Sequence, residues 1–268
     1  MEGLRVLGKP ERFAKFYYEN GADELIYMDV VASLYGRNSL LDMIQKTSKE
    51  IFIPLTVGGG LRTLDDIRSV LKAGADKVSI NTAGIRNPEF IKQASKAFGS
   101  STILVAIEAM KNPDGSYEAY TDNGREKTCV DVFEWALHAA ELGAGEIMIT
   151  SIDKEGTGKG FDLDLTRKVA EAVDIPVIAH GGAGEISHIH EVIVKGIADA
   201  VCIASIIHYN VIRNCDFVDS FSNEGNTEFL KSRRNFLRIK DSSLFAIKEY
   251  LGKHEIECRF PRGGPAYV

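Results

Sequence analysis

Thr56-Val57-Gly58-Gly59-Gly60, running on to Ala75-Asp76-Lys77-Val78-Ser79-Ile80, is echoed later in the chain. The echo is Ala179-His180-Gly181-Gly182-Ala183, running on to Ala198-Asp199-Ala200-Val201-Cys202-Ile203. Gly58 and Gly181 stand 123 positions apart, as do Asp76 and Asp199, so the stretches align without a gap. A second pair, Gly21-Ala22-Asp23-Glu24-Leu25 and Gly143-Ala144-Gly145-Glu146-Ile147, agrees at an offset of 122. Solenoid units repeat every ~20–50 residues; this period is half a domain. It predicts two similar halves closing on one another, each with its own glycine turn.

Short runs rich in Val, Ile and Leu alternate with amphipathic stretches, the pattern of a parallel α/β fold with doubly buried strands. Strands are predicted over 24–30, 53–58, 77–81, 102–108, 146–152, 176–181 and 200–205. Helices are predicted over 10–20, 40–50, 64–73, 88–98, 130–142, 163–173, 186–195 and 243–253. Gly74, Gly99, Gly143 and Gly196 fall where helix C-caps are wanted. With 268 residues, 44% of them hydrophobic, the chain suits a single TIM-barrel domain over 1–268, a (β/α)8 barrel built from two half-barrel repeats. Only seven strands are visible. The strand at 102–108 opens the second half, and its counterpart at the same offset falls before Met1. A first strand is therefore expected upstream and missing here, which exposes two unpaired edges. Two stretches interrupt the alternation. Residues 111–128, with Pro113-Asp114-Gly115 and Asp122-Asn123-Gly124 as turn signals, read as a hairpin excursion. Residues 210–241, with Arg233, Arg234 and Arg238, read as a polar surface insertion.

Composition narrows the function classes. A net charge of −6 without any block of Lys or Arg speaks against a nucleic-acid partner. No apolar run approaches the ~18 residues of a membrane span. The opening Met1-Glu2-Gly3-Leu4-Arg5 lacks the apolar stretch of a signal peptide. Cys129, Cys202, Cys215 and Cys258 are scattered without metal-ligand spacing and suit a reducing cytoplasm. No cofactor and no metal are expected.

In a (β/α)8 barrel, chemistry sits at the C-terminal strand ends. Counting the missing strand as the first, Gly58-Gly59-Gly60 ends the third strand and Asn81-Thr82 the fourth. His180-Gly181-Gly182-Ala183-Gly184 ends the seventh and Ala204-Ser205 the eighth. Glycines let backbone N–H groups approach an anion, and the helix N-terminus that follows favours negative charge. Alone, each glycine cluster is as readily a structural turn. Two clusters in register favour two phosphate sites facing one mouth. Asp29, Glu108 and Asp153 follow the second, fifth and sixth strands, where a carboxylate serves as general acid or base or, in the plainer reading, as a cap or salt-bridge partner. Thr150 is placed to donate to substrate or to fill the barrel. Glu24, Lys77 and Glu146 start the second, fourth and sixth strands at the opposite end, where charge normally serves stability and where alternate strands would bring them into one ring.

The chain resembles the cyclase subunit of imidazole glycerol phosphate synthase, the HisF-type barrel. The resemblance rests on Ala22-Asp23-Glu24-Leu25, Pro54 to Gly60, Ala75 to Ala83, Gly143 to Asp153, Glu155-Gly156-Thr157 and Gly181-Gly182-Ala183-Gly184, in order over roughly 3–209, and on Ile247 to Arg259. The related HisA-type isomerase shares the half-barrels; the stretch from Ile149 to Thr157 and the Glu–Lys–Glu set favour the cyclase. The resemblance implies a lyase of histidine biosynthesis. It would take ammonia from a glutaminase partner and convert a substrate bearing two phosphates, phosphoribulosyl-formimino aminoimidazole carboxamide ribonucleotide. The products would be imidazole glycerol phosphate and aminoimidazole carboxamide ribonucleotide. It implies catalytic roles for Glu108, Asp29, Thr150 and Asp153. It implies substrate or phosphate contacts at Gly58, Gly59, Gly60, Asn81, Thr82, Gly156, Thr157, His180, Gly181, Gly182, Gly184, Ala204 and Ser205. Glu24, Lys77 and Glu146 match the family's ammonia gate, and Asp76 its contact with the glutaminase. Three features depart from the pattern. Glu108 stands for one of a pair of Asp residues, the other lying on the missing strand. His180 stands for a small Ser, where added positive charge would assist an anion. The gate's Arg, on the first strand, is absent. Two alternatives stay open: a similar barrel acting on a sugar in surface-polysaccharide biosynthesis, and a phosphate-binding barrel without catalysis.

Overall fold

The computed structural model describes residues 9–29, 37–214 and 239–260. Its strands are β1 (Leu25–Met28), β2 (Leu55–Gly58), β3 (Lys77–Ile80), β4 (Ile103–Lys111), β5 (Tyr117–Thr121), β6 (Glu126–Asp131), β7 (Glu146–Ser151), β8 (Val177–His180) and β9 (Ala200–Cys202). Seven of them form one parallel path, β1-β2-β3-β4-β7-β8-β9, and β5 and β6 hang from β4 as an antiparallel hairpin. The helices are α1 (Pro10–Glu19), α2 (Arg37–Ser48), α3 (Leu64–Ala73), α4 (Thr82–Arg86), α5 (Glu89–Phe98), α6 (Val132–Glu141), α7 (Leu163–Ala172), α8 (Ile186–Val194), α9 (Ser205–Asn214) and α10 (Leu244–Lys253).

Local chemistry sets the boundaries. The N-terminus of α3 is a capping box: Asp66 N donates to Thr63 Oγ1 at 3.1 Å, and Thr63 N donates to Asp66 Oδ2 at 3.0 Å. At its other end Gly74 adopts φ 117°, a left-handed cap that a side chain would resist. Helices α6, α7 and α10 begin at Asp131, Asp162 and Ser243, whose side chains each accept backbone N–H groups of the first turn.

Successive residues of a strand face opposite ways. Leu55, Val57, Val78, Ile80, Ile103, Val105, Ile107, Ile147, Ile149 and Val177 point outward into a core shared with the helices. Ile26, Leu104, Ala106, Met148, Ile178 and Cys202 point inward and form a separate cluster along the axis. The sheet is curled, because Lys77 on β3 reaches Glu24 before β1 and Glu146 on β7, each two strands away.

Among the described residues no strand pairs with the free side of β1 or of β9. A second core spans that side: Phe13 and Tyr17 of α1 pack with Ile206, Ile207 and Val211 of α9 and with Ile247 and Leu251 of α10. His208 is the polar pivot there. Its Nδ1 is hydrogen-bonded to Tyr17 Oη, and burial pushes its pKa down to about 4. Lys248 of α10 ties the C-terminal segment to the entry of β1 through Asp23 at 2.7 Å and the Arg259 carbonyl at 2.7 Å.

The sequence repeat is a repeat of hydrogen bonds. Leu25 N donates to Pro54 O at 3.0 Å, and Ile147 N to Pro176 O at 3.0 Å. Asp76 Oδ2 accepts from Leu55 N at 2.9 Å, and Asp199 Oδ2 from Val177 N at 2.8 Å. In return Asp76 N donates to Leu55 O, and Asp199 N to Val177 O.

Three expectations change. Gly196 is not the left-handed cap after α8; that conformation falls on Ile197, φ 49°, at the position matching Gly74. Residues 210–214 belong to α9, so the insertion begins later than its polarity suggests; residues 215–238, with Cys215, Arg233, Arg234 and Arg238, lie outside the described residues. The run at 200–205 is a strand only to Cys202, because Ala204 already accepts the first helical bonds of α9 from Ile207 and His208.

Gly59 (φ 103°) and Gly182 (φ 114°) occupy matching turns. A Cβ there would lie 2.1 Å from the Asp29 carbonyl oxygen and 2.2 Å from that of Gly160. Gly156 also has positive φ, but nothing lies within 4 Å. Chemical denaturation is therefore expected to show that Gly59→Ala and Gly182→Ala each lose more than about 3 kcal/mol, strain and clash together. Gly156→Ala should lose about 1–2 kcal/mol, the left-handed cost alone.

Candidate active site

Parallel pairing puts Glu108 beside Thr150, Thr150 beside His180 and His180 beside Cys202, one inward-facing row across β4, β7, β8 and β9 at the C-terminal rim. The antiparallel hairpin extends the row, since Tyr120 pairs with Glu108. The expected hairpin is present. Its turn places Asp122 (φ 50°) and Asn123 (φ 57°) in left-handed conformations, which suits the residue types found there.

The turn serves the site. Glu108 Oε2 accepts from Gly124 N at 2.9 Å and from Asn81 Nδ2 at 2.9 Å. The half-buried carboxyl is raised above the usual carboxylate range, first by burial and then by the charges of Glu155 and Asp122, against the lowering pull of its two donors. Its bonded oxygen is fixed from both sides, which aims the carboxyl along the row.

His180 Nδ1 lies 3.0 Å from Thr150 Oγ1. Burial lowers the imidazole pKa, and the Glu155 carboxylate opposes this only in part. The surroundings of His180 thus disfavour a positive charge on the ring. Glu155 is the carboxylate that sequence reading passed over. It acts electrostatically on both Glu108 and His180, and its Cβ is 3.5 Å from where a Cβ on Gly181 would sit. Asp153, the third carboxylate expected at the mouth, is engaged by the backbone at the C-terminal end of β4. Asp153 Oδ2 accepts from Lys111 N at 2.9 Å and lines a cavity of about 520 Å³ with Lys111, Asn112 and Asp162. Asp29 follows β1, and its N–H continues the ladder to Gly58 O at 2.9 Å.

The glycine turns lie at the rim as expected, and part of their glycine content has a structural cause. Gly58 faces the barrel interior, where a Cβ would lie 2.5 Å from Met28 Sδ. Gly182 carries the loop after β7 across it, with Gly160 N donating to Gly182 O at 2.9 Å. Gly184 N donates to His188 Nδ1 at 3.2 Å. Asn81 serves Glu108, Thr82 Oγ1 accepts from Asp122 N at 3.2 Å, and Thr157 Oγ1 donates to Lys154 O at 2.6 Å. Gly60 and Gly181 take positive φ in the same two turns, and Ser205 opens α9 directly after Ala204.

At the opposite end, Lys77 Nζ lies 2.9 Å from Glu24 Oε2 and 2.6 Å from Glu146 Oε1. Burial works against the ammonium, but hydrogen bonds to Glu146 and Glu24 outweigh it and raise the pKa. The predicted ring is thus formed. Between ring and rim, the buried hydroxyls of Thr56 and Ser79 have no hydrogen-bond partner in the protein. Neither belongs to the outer core, and both alternate with residues that do, so they line the axis.

A family model described as "Histidine biosynthesis protein" matches residues 1–213. The chain belongs to that family. It is 47% identical over 209 residues to "Imidazole glycerol phosphate synthase subunit HisF" of Alkaliphilus metalliredigens (strain QYMF), covering 78% of this chain and 83% of that protein. It is 54% identical over 186 residues to a protein of the same name from Legionella pneumophila, covering 69% of this chain and 88% of the relative. The alternating parallel sheet is therefore that of a (β/α)8 barrel of this family. Among the described residues no group of three or more His, Cys, Asp or Glu is arranged to hold a metal ion, and no helix is long and apolar enough to cross a membrane.

The raised pKa of Glu108 fixes a sign. A carboxyl whose folded pKa lies above its unfolded value favours folding below the unfolded pKa, and that contribution is lost as pH rises through the folded pKa. Glu108→Gln removes the ionisation and keeps an acceptor for Asn81. Its melting temperature relative to the parent is expected to be more favourable at pH 8 than at pH 4. Equal differences at the two pH values would show that Glu108 is not desolvated.

Proposed function

We propose that this chain is the cyclase subunit of an imidazole glycerol phosphate synthase, a lyase of histidine biosynthesis. It takes ammonia from a glutaminase subunit and uses it to convert phosphoribulosyl-formimino aminoimidazole carboxamide ribonucleotide to imidazole glycerol phosphate and aminoimidazole carboxamide ribonucleotide. The observation that carries the reading is a single axis with distinct ends. The Glu24–Lys77–Glu146 ring stands at the N-terminal end and the Glu108 row at the C-terminal rim. Thr56 and Ser79 supply unpaired hydroxyls between them. A small neutral donor and acceptor such as ammonia is matched to such a lining.

The two glycine turns, related by the repeat, suit the two phosphates of this substrate, each followed by a helix whose N-terminus favours an anion. In this reading Gly58, Gly59, Gly60, Asn81 and Thr82 serve one phosphate. Gly156, Thr157, Gly181, Gly182, Gly184, Ala204 and Ser205 serve the other. Glu108, oriented by Asn81 and Gly124, works as acid or base on the reacting centre, with Thr150 beside it and Asp29 on the far side of the mouth. Asp153, held at Lys111 N, assists from the loop after β7. The glutaminase docks at the face carrying the ring. Asp76 contributes there with the part of its carboxylate not spent on Leu55 N. The protein would work in the cytoplasm with its soluble substrate.

Purified protein given ammonium and the ribonucleotide should release imidazole glycerol phosphate; no product from the parent protein sinks the proposal. Glu108→Gln should lower ammonia-dependent kcat by about 10²-fold or more, the scale of a lost general acid or base. Lys77→Met, assayed with the glutaminase subunit present, should lose glutamine-dependent turnover while keeping most ammonium-dependent turnover. Parallel losses in both assays would mean that the ring holds the fold rather than the ammonia path.

A further inference from the structure

We infer that His180 is the second acid–base group of this site, working across the mouth from Glu108; the inference rests on the cyclase reading above. The argument begins with register. Glu108, Thr150 and His180 occupy one inward row on three adjacent parallel strands. At ~4.8 Å between neighbouring strands, the backbones of Glu108 and His180 stand roughly 10 Å apart. Their side chains stand on the same face of the sheet, with Thr150 on the strand between them. Each group is held from behind. Oε2 of Glu108 takes two N–H donors, which leaves Oε1 for the mouth. Nδ1 of His180 is spent on Thr150 Oγ1, which leaves Nε2. One oxygen and one nitrogen are thus presented to the same space.

The surroundings of His180 suit proton transfer better than anion binding. Glu155, from the loop after β7, opposes the effect of burial on the ring. Cys202, its register partner on β9, is kept protonated by burial, its pKa pushed up to about 11. Glu108 lies two strands away. Among the described residues no Lys or Arg acts on the imidazole. Burial raises the carboxyl and lowers the imidazole. The two proton affinities are thereby drawn toward one another, which suits a pair that trades donor and acceptor roles.

That pair matches the proton demands of ammonia addition to a carbonyl. As the C–N bond forms, the carbonyl π pair moves to oxygen. The nitrogen sheds a proton to His180 Nε2, and the oxygen takes one from Glu108. Loss of water reverses both roles. The imidazolium protonates the departing hydroxyl, the Glu108 carboxylate takes a proton from nitrogen, and the C=N bond forms. Both groups return to their starting states, and ammonia plus ketone has become imine plus water.

The test is His180→Asn, which keeps an amide near the Nδ1 position for Thr150 and removes Nε2. A parallel His180→Gln variant decides the matter if the Asn protein melts early. Ammonium-dependent turnover is measured from pH 5 to 9 at constant free ammonia. The expected result is a kcat lower by about 10²-fold or more with KM within about threefold, and loss of the acidic limb on which the parent falls as His180 gains its proton. A kcat within about threefold of the parent with the limb intact overturns the inference, as does a raised KM at unchanged kcat, which marks a binding contact only. Absence of turnover in the parent protein overturns the cyclase reading itself and the proton-transfer role with it. Parent turnover that survives loss of Nε2 removes the role alone.

Discussion

Two carboxylates, one in each half of the barrel, lock strand pairs that frame the site. Asp76 and Asp199 each accept the N–H that opens the neighbouring strand and return their own N–H to that residue's carbonyl. The clamps tie β2 to β3 and β8 to β9. Side chains alternate with a period of two, so a one-residue slip in either pair would turn every inward residue outward. Glu108, Thr150 and His180 form a row only because their strands are in step, and the Glu24–Lys77–Glu146 ring follows from the same register at the other end. The same residue, Asp76, also carries the proposed glutaminase contact. That use and the clamp are compatible, since a carboxylate offers more acceptor positions than the single N–H takes.

Much of this was legible in the sequence, for a definite reason. Parallel strands buried on both faces must be short runs of Val, Ile and Leu, and the helices between them must carry one apolar face. The alternation over 53–58, 64–73 and 77–81 therefore showed both element types, with α3 bounded by Thr63 and Gly74 where predicted. The repeat located both glycine turns and the charged ring, because residues at equal offsets perform equal tasks. What escaped was the set of partners that loop and rim side chains take. Asp153 is captured by Lys111 N from 42 positions away, and Glu155 acts on both Glu108 and His180. Asn81 gains a second task beside the proposed phosphate contact, because the β3–β4 pairing sets its side chain against Glu108.

The hairpin shows how an insertion becomes part of a site. Its turn adopts left-handed conformations at Asp122 and Asn123 and so brings Gly124 N over Glu108. Residue type sets the geometry, and the geometry delivers a donor. Two donors on one oxygen work against burial, and the carboxyl still ends above its usual range. Position and proton affinity are thus set by different neighbours: Asn81 and Gly124 aim the group, while burial and the charge on Glu155 make it hold its proton more tightly.

The halves of the repeat have diverged where function differs and stayed alike where the fold demands it. The clamps, the Pro54 and Pro176 carbonyl acceptors and the Gly59 and Gly182 turns are kept in both halves. Ile197, exposed and at φ 49°, stands where the first half has Gly74. A β-branched residue in that conformation is strained, so the second half tolerates at its N-terminal face a cost the first half avoids. At the C-terminal rim the divergence is chemical. Val57 precedes the first glycine turn and packs outward into the core, whereas His180 precedes the second and looks into the mouth, where Thr150 holds it. A symmetric barrel supplies two equivalent anion turns, but acid–base chemistry on one carbon needs two unlike groups. On the proposed reading, the asymmetry between Val57 and His180 supplies one of them, and Glu108, at the strand that opens the second half, supplies the other.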